Sequence, residues 1–106
     1  MNINDKAKDL AWCIKNTDEF KFMEKAKKDI DSNPTLKKQF DEYVKKKNNI
    51  YSRYKIGDTT RKINQLNKEF NKFFSNPLVY NYMNANKQFN IMMENLYKQI
   101  ENELTK

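Results

Sequence analysis

The sequence predicts an all-α protein of about five helices, organised around a long antiparallel helical hairpin and assembling as a dimeric bundle. Three observations predict it. One Gly, two Pro and few β-branched residues leave little of the turn and strand chemistry that sheets need. Apolar side chains recur instead at three- and four-residue spacing along most of the chain. The tripeptide Ser-Asn-Pro also occurs twice, at Ser32-Asn33-Pro34 and Ser75-Asn76-Pro77, each time opening an amphipathic stretch. An Asn side chain can accept from the free N–H groups of a helix start, and Pro suits the first helical position, where no N–H is required. With 106 residues and no Pro/Gly-rich linker, the chain reads as a single domain over residues 1–106.

The elements follow in order. Helix one is expected over about Asn4–Ile14, with Ala7, Leu10, Ala11 and Ile14 on one stripe. The polar stretch Lys15-Asn16-Thr17-Asp18 interrupts it, and Thr17 or Asp18 can cap helix two, where Glu19 suits the positive end. Helix two buries Phe20, Met23, Ala26 or Lys27, and Ile30, and ends by Ser32. Helix three starts at Pro34, carries Leu36, Phe40, Tyr43, Val44, Tyr51 and Tyr54 on one face, and is predicted to end at Gly57 as a C-cap. Asp58, Thr59 or Thr60 then caps helix four, whose face is Ile63, Leu66, Phe70, Phe73 and Phe74. Helix five starts at Pro77 and runs to the C-terminus.

Helix five has the widest apolar face, close to half its circumference on a helical wheel. Phe89, Met92, Met93 and Leu96 lie on that face, and Tyr80 and Ile91 project beyond it. Such breadth predicts more than one neighbouring helix, and a Met-rich strip beside exposed apolar side chains marks an interaction surface. On helix three, Lys47 falls among Tyr43, Val44, Tyr51 and Tyr54. Its stem can snorkel along that face, or its ammonium can be paired across an interface and set register. The candidate interface therefore comprises Tyr43, Lys47, Tyr51 and Tyr54 of helix three with Tyr80, Phe89, Ile91, Met92, Met93 and Leu96 of helix five. Trp12 and Phe22 lie off their helices' main stripes, where they can pack on each other or form a second contact patch.

The net charge of +7 does not by itself predict nucleic-acid binding. Only Arg53 and Arg61 are Arg among 21 basic residues, and 16 Asn accompany 19 Lys, a bias that an AT-rich genome produces without selection for phosphate recognition. Residues 1–58 carry 14 basic and 10 acidic side chains and residues 59–106 carry seven and four, so neither half is a basic arm. Catalytic chemistry is not indicated. There is no His, which removes the commonest general base and most zinc and di-iron arrangements; one Gly cannot build a phosphate-binding loop; and the carboxylates are scattered among Lys. No metal or cofactor is expected. Cys13, at the edge of the helix-one stripe, is expected to be a buried packing thiol. The polar start Met1-Asn2-Ile3-Asn4-Asp5, the short apolar runs and the single Cys predict neither signal peptide nor membrane insertion, and a cytoplasmic protein.

Four stretches carry a family resemblance: Ala7-Lys8-Asp9-Leu10-Ala11 with Ile14-Lys15; Glu19-Phe20-Lys21 leading to Ala26-Lys27; Asn33-Pro34 with Leu36 and Phe40; and Asn76-Pro77-Leu78-Val79 with Tyr82, Gln88-Phe89 and Met92-Met93. In this order, with Gly57 at the family's helix break, the chain resembles the YlbF/YmcA family of small helical bacterial regulators. The resemblance implies a non-enzymatic fold that self-associates or pairs with a paralogue. It also implies an accessory role beside an endoribonuclease in mRNA processing, with effects on competence, sporulation and biofilm formation. Members with C-terminal Cys residues are linked with iron–sulfur clusters, and this chain has no Cys beyond Cys13. The expected function is thus a regulatory adaptor acting through protein–protein contacts, as a homodimer or paralogue heteromer. The alternative is direct RNA binding through Lys-rich faces.

Overall fold

The computed structural model describes residues 2–106. Among them the backbone forms six α-helices and no strand: α1 (Ile3–Lys15), α2 (Asp18–Asp31), α3 (Pro34–Arg53), α4 (Ile56–Glu69), α5 (Asn71–Phe74) and α6 (Pro77–Thr105). The all-α prediction holds. Both Asn-Pro sites act as helix starts. Asn33 Oδ1 accepts from the N–H groups of Thr35 and Leu36, each at 3.1 Å, and Asn76 Oδ1 accepts from Leu78 N–H at 2.9 Å. Thr17 is the side-chain cap of α2, its Oγ1 accepting from Phe20 N–H at 3.2 Å. Helix α1 starts at Ile3, within a residue of the expected Asn4, and Asn2 caps it by accepting from Asn4 N–H at 2.8 Å.

Two expectations are corrected. Helix three ends at Arg53, and the connection is made by Tyr54 and Lys55, both in extended backbone (φ −119°, ψ 152° and φ −69°, ψ 159°). An extended link needs no left-handed residue, so Gly57 is not a C-cap and lies inside the first turn of α4 with ordinary φ. Asp58, Thr59 and Thr60 are likewise inside α4 and do not precede it; Thr59 Oγ1 donates back to Lys55 O at 2.9 Å. The second correction is a break at Phe70 (φ −96°, ψ 19°), which separates α4 from the one-turn α5.

The helices form two compact units, one of Lys28–Tyr80 and one of Met1–Lys27 with Asn81–Lys106. In the first, here the central unit, α3 packs on α4. Tyr43 meets Asn67 and Phe70, Lys46 meets Phe70, and Tyr54 meets Lys62. Positions 43 and 46 meet positions 67 and 70, whereas position 54 meets position 62, so the two helices run antiparallel. Ile30, Leu36, Tyr43, Leu66, Phe73 and Val79 are buried there, Ile30 and Val79 almost completely.

An aromatic cluster fills this core. The Tyr43 ring lies 4.9 Å from Phe74 and 5.4 Å from Phe70, Phe73 lies 5.3 Å from Phe74, and Phe40 lies 6.4 Å from Phe73. Their inclined, edge-on arrangements suit the ring quadrupoles. The Tyr43 hydroxyl donates to Asn67 Oδ1 at 2.7 Å, which satisfies the polar end of a buried side chain. Burial, and secondarily the nearby Tyr51, raise its pKa above the ordinary 10.0.

The second unit, here the terminal unit, contains α1, most of α2 and the C-terminal part of α6. Phe20 of α2 meets Phe89 of α6 with ring centroids 5.8 Å apart. Among its described residues only Ala26 is buried, and α1 buries none of its 13 residues.

Candidate interaction surface

The terminal unit's local chemistry builds sound helices, capped by Asn2 and Thr17, without enclosing their apolar sides. Ile14, Phe20, Met23, Phe89, Met92, Met93 and Leu96 are half-buried. Trp12 and Phe22 keep 68% and 65% of their surface exposed. Ile3, Leu10, Ile91, Tyr97, Ile100 and Leu104 are exposed as well. Between α2 and α6, Glu19, Phe22, Asn84, Ala85 and Gln88 line an open cleft of about 360 Å³. So many exposed large apolar side chains on one unit mark surface that a partner can cover.

The residues singled out from the sequence divide between the two units. Phe89, Met92, Met93 and Leu96 are half-buried and Ile91 is exposed in the terminal unit. Tyr43, Lys47, Tyr51, Tyr54 and Tyr80 belong to the central unit. Tyr43 does not present a surface, since only 8% of it is exposed and its hydroxyl is engaged within the chain. Lys47 is half-buried with its Nζ 5.9 Å from the Tyr43 ring centroid, a cation–π placement that accounts for a Lys in an aromatic face. Tyr51, Tyr54 and Tyr80 are exposed.

Cys13 is also exposed, contrary to the packing role expected for it, because the α1 stripe on whose edge it lies is itself not covered. Tyr97, Ile100 and Leu104, on the broad apolar face expected of the last helix, are exposed, and so is Ile3, to which the sequence assigned no role. Their periodicity is that of core positions, and periodicity carries no information on whether a covering helix exists.

The charges divide as unevenly as the core. Described residues of the terminal unit carry nine basic and eight acidic side chains, a net +1, whereas residues 28–80 carry 12 basic and six acidic, a net +6. Nine of the 14 exposed large apolar side chains among the described residues therefore sit on the nearly neutral unit. No group of His, Cys, Asp and Glu among the described residues is arranged to hold a metal ion, and no helix among them is long and apolar enough to cross a membrane.

An all-α chain with one packed aromatic unit and one apolar, weakly buried unit is a small helical scaffold with surface left to cover. More particularly, the chain belongs to the YlbF/YmcA family. The family model described as "Control of competence regulator ComK, YlbF/YmcA" matches residues 3–105, nearly the whole chain. The family is one of regulators, linked to control of the competence regulator ComK. No curated protein and no solved structure matches the chain.

Proposed function

We propose that this protein is a non-enzymatic regulatory adaptor that works by burying the apolar surface of its terminal unit against a second copy of itself or a paralogue. The observation that carries the reading is the contrast within α1, α2 and α6. Their apolar stripes are regular, yet Ala26 is their unit's only buried residue among those described. Covering Trp12, Phe22, Ile91 and Tyr97 would remove water from side chains each contributing about 1.5–3 kcal/mol on full burial. The near-neutral charge of the unit lets a second copy approach without the repulsion that the +6 unit would impose. Family membership supports a regulatory role. We extend it to an accessory role in endoribonuclease-dependent mRNA processing on the resemblance noted above.

Light scattering tests the association directly. The protein should run at twice its 12.9 kDa chain mass at micromolar concentration, and Ile91→Asp with Tyr97→Ser should return it to one chain with its helix content intact. A wild-type monomer at that concentration, with no paralogue recovered bound to it, overturns the reading.

A further inference from the structure

The central unit contains a second feature, independent of the apolar surface. Along one side of the antiparallel α3–α4 pair runs a groove of about 350 Å³, within the range of small-ligand sites. Half-buried Ile50 of α3 and buried Leu66 of α4 supply its aliphatic lining, beside the amides Asn49 and Gln65. Three cations, Lys46 and Arg53 of α3 and Lys62 of α4, stand along it with a single carboxylate, Glu69. Tyr54, next to Arg53 in the chain, lines it as well, with Lys62 Nζ 5.4 Å from its ring centroid.

The charge distribution gives the groove a direction. Because α3 and α4 are antiparallel, Arg53, Tyr54 and Lys62 gather at one end, and Lys46 and Glu69 belong to the other. Lys46 Nζ there lies 5.5 Å from the Phe70 centroid. The first end holds two positive charges and the second is balanced. None of the three cations has a carboxylate within 4.0 Å among the described residues. Arg61, the chain's other Arg, is engaged with Asp58 at 3.8 Å. In a chain that uses Lys for 19 of its 21 cations, an Arg without an acidic partner beside a Lys and a Tyr face offers a forked donor set suited to phosphate oxygens.

We propose that this groove binds a nucleoside phosphate. The phosphate would sit between Arg53 and Lys62, the planar base would lie against Tyr54 or the Ile50 and Leu66 side chains, and Glu69 would accept from a ribose hydroxyl or an exocyclic amine. The mixed lining favours this over a bare inorganic anion, which would use the cations and leave the aromatic face, the aliphatic lining and Glu69 without a role. It favours a free nucleotide over an RNA strand, because the groove has room for a ligand of mononucleotide size and carries one aromatic platform where strand binding uses several in succession.

Calorimetric titration of the full chain at low salt is the test, with AMP, GMP, CMP and UMP, inorganic phosphate, adenosine, and octameric poly(A) and poly(U) RNA as probes. The expected result is saturable binding of at least one mononucleotide, tighter than phosphate or adenosine. Arg53→Met and Lys62→Met should each weaken it about tenfold, the loss expected for one charge-assisted contact. Tyr54→Leu and Glu69→Gln should weaken nucleotide binding and leave phosphate binding unmoved. Lys87→Met, in the terminal unit, should change nothing, and circular dichroism should show every variant folded. Absence of mononucleotide binding at millimolar concentration overturns the proposal. So does binding that the Arg53→Met/Lys62→Met double variant retains, or binding of the RNA octamers alone.

Discussion

The two units of this chain are made from the same kind of helix and differ in what their apolar faces meet. In the central unit, the faces of α3, α4 and α5 close on each other around Tyr43, Phe70, Phe73 and Phe74. In the terminal unit, α1 and the segments of α2 and α6 that belong to it have comparable stripes but enclose only Ala26 among the described residues. Charge follows the opposite pattern, +6 on the unit with the core and +1 on the unit without one. Where cohesion is supplied within the chain, the surface can carry net repulsion. Where apolar surface remains uncovered, near neutrality keeps association open. Amphipathicity is therefore a property of a helix alone, whereas burial is a property of its neighbours.

Truncations offer the sharpest way to break this comparison. Phe73→Ala should cost about 3–5 kcal/mol, the usual loss for a large side chain in a closed core, read as a lower denaturation midpoint. Ile91→Ala in the terminal unit should stay within about 0.5 kcal/mol under conditions where the chain is monomeric. Equal losses would show that the terminal unit has a core of its own.

Helix caps come next. Asn33→Ala removes the acceptor for two N–H groups in the central unit and should cost about 1 kcal/mol, measured by chemical denaturation. Asn2→Ala should cost less, since it caps a helix with no buried residue.

Tyr43→Phe should cost about 1 kcal/mol by deleting the hydrogen bond to Asn67. The variant also carries a pH signature. The folded phenol has a raised pKa, so its contribution is complete below the unfolded value near 10.0 and is lost as pH rises above it towards the folded pKa. Wild-type stability should therefore fall more steeply than that of the variant in alkaline titration, and parallel curves would refute the assignment.

The smallest effect is a gain. Gly57 lies in a helical turn where, apart from its chain neighbours and the helix's own backbone, nothing comes within 4 Å of the position of a Cβ, so Gly57→Ala should add about 0.5 kcal/mol by lowering backbone entropy in the unfolded chain. A loss there would mean that the α3–α4 connection needs freedom that its ordinary φ does not reveal.

What could be read from the residues depended on how local the cause was. The Asn-Pro starts, the Thr17 cap and the helical periodicity are effects within one turn, and they appear in the structure where they were expected. The end of helix three differs from its sequence expectation because Gly57 is a natural helix stop, while the chain turns through two extended residues before reaching it. The candidate interface was legible in part. Ile91 and Tyr80 project as the wheel indicated, but Tyr43 faces inward because Phe70 and Phe74 meet it from residues about 30 positions away.

The sequence by itself determined the helical class, most helix boundaries and the family, since each rests on short-range pattern or on the order of motifs. Only the tertiary structure decided which stripes are covered and where the charge lies. Cut at residue 58, the chain divides into +4 and +3; grouped by contact, it divides into +1 and +6. The physical reason is that α6 and α2 are each shared between the units, so residues far apart in sequence pool their charges and apolar faces only after the chain has folded.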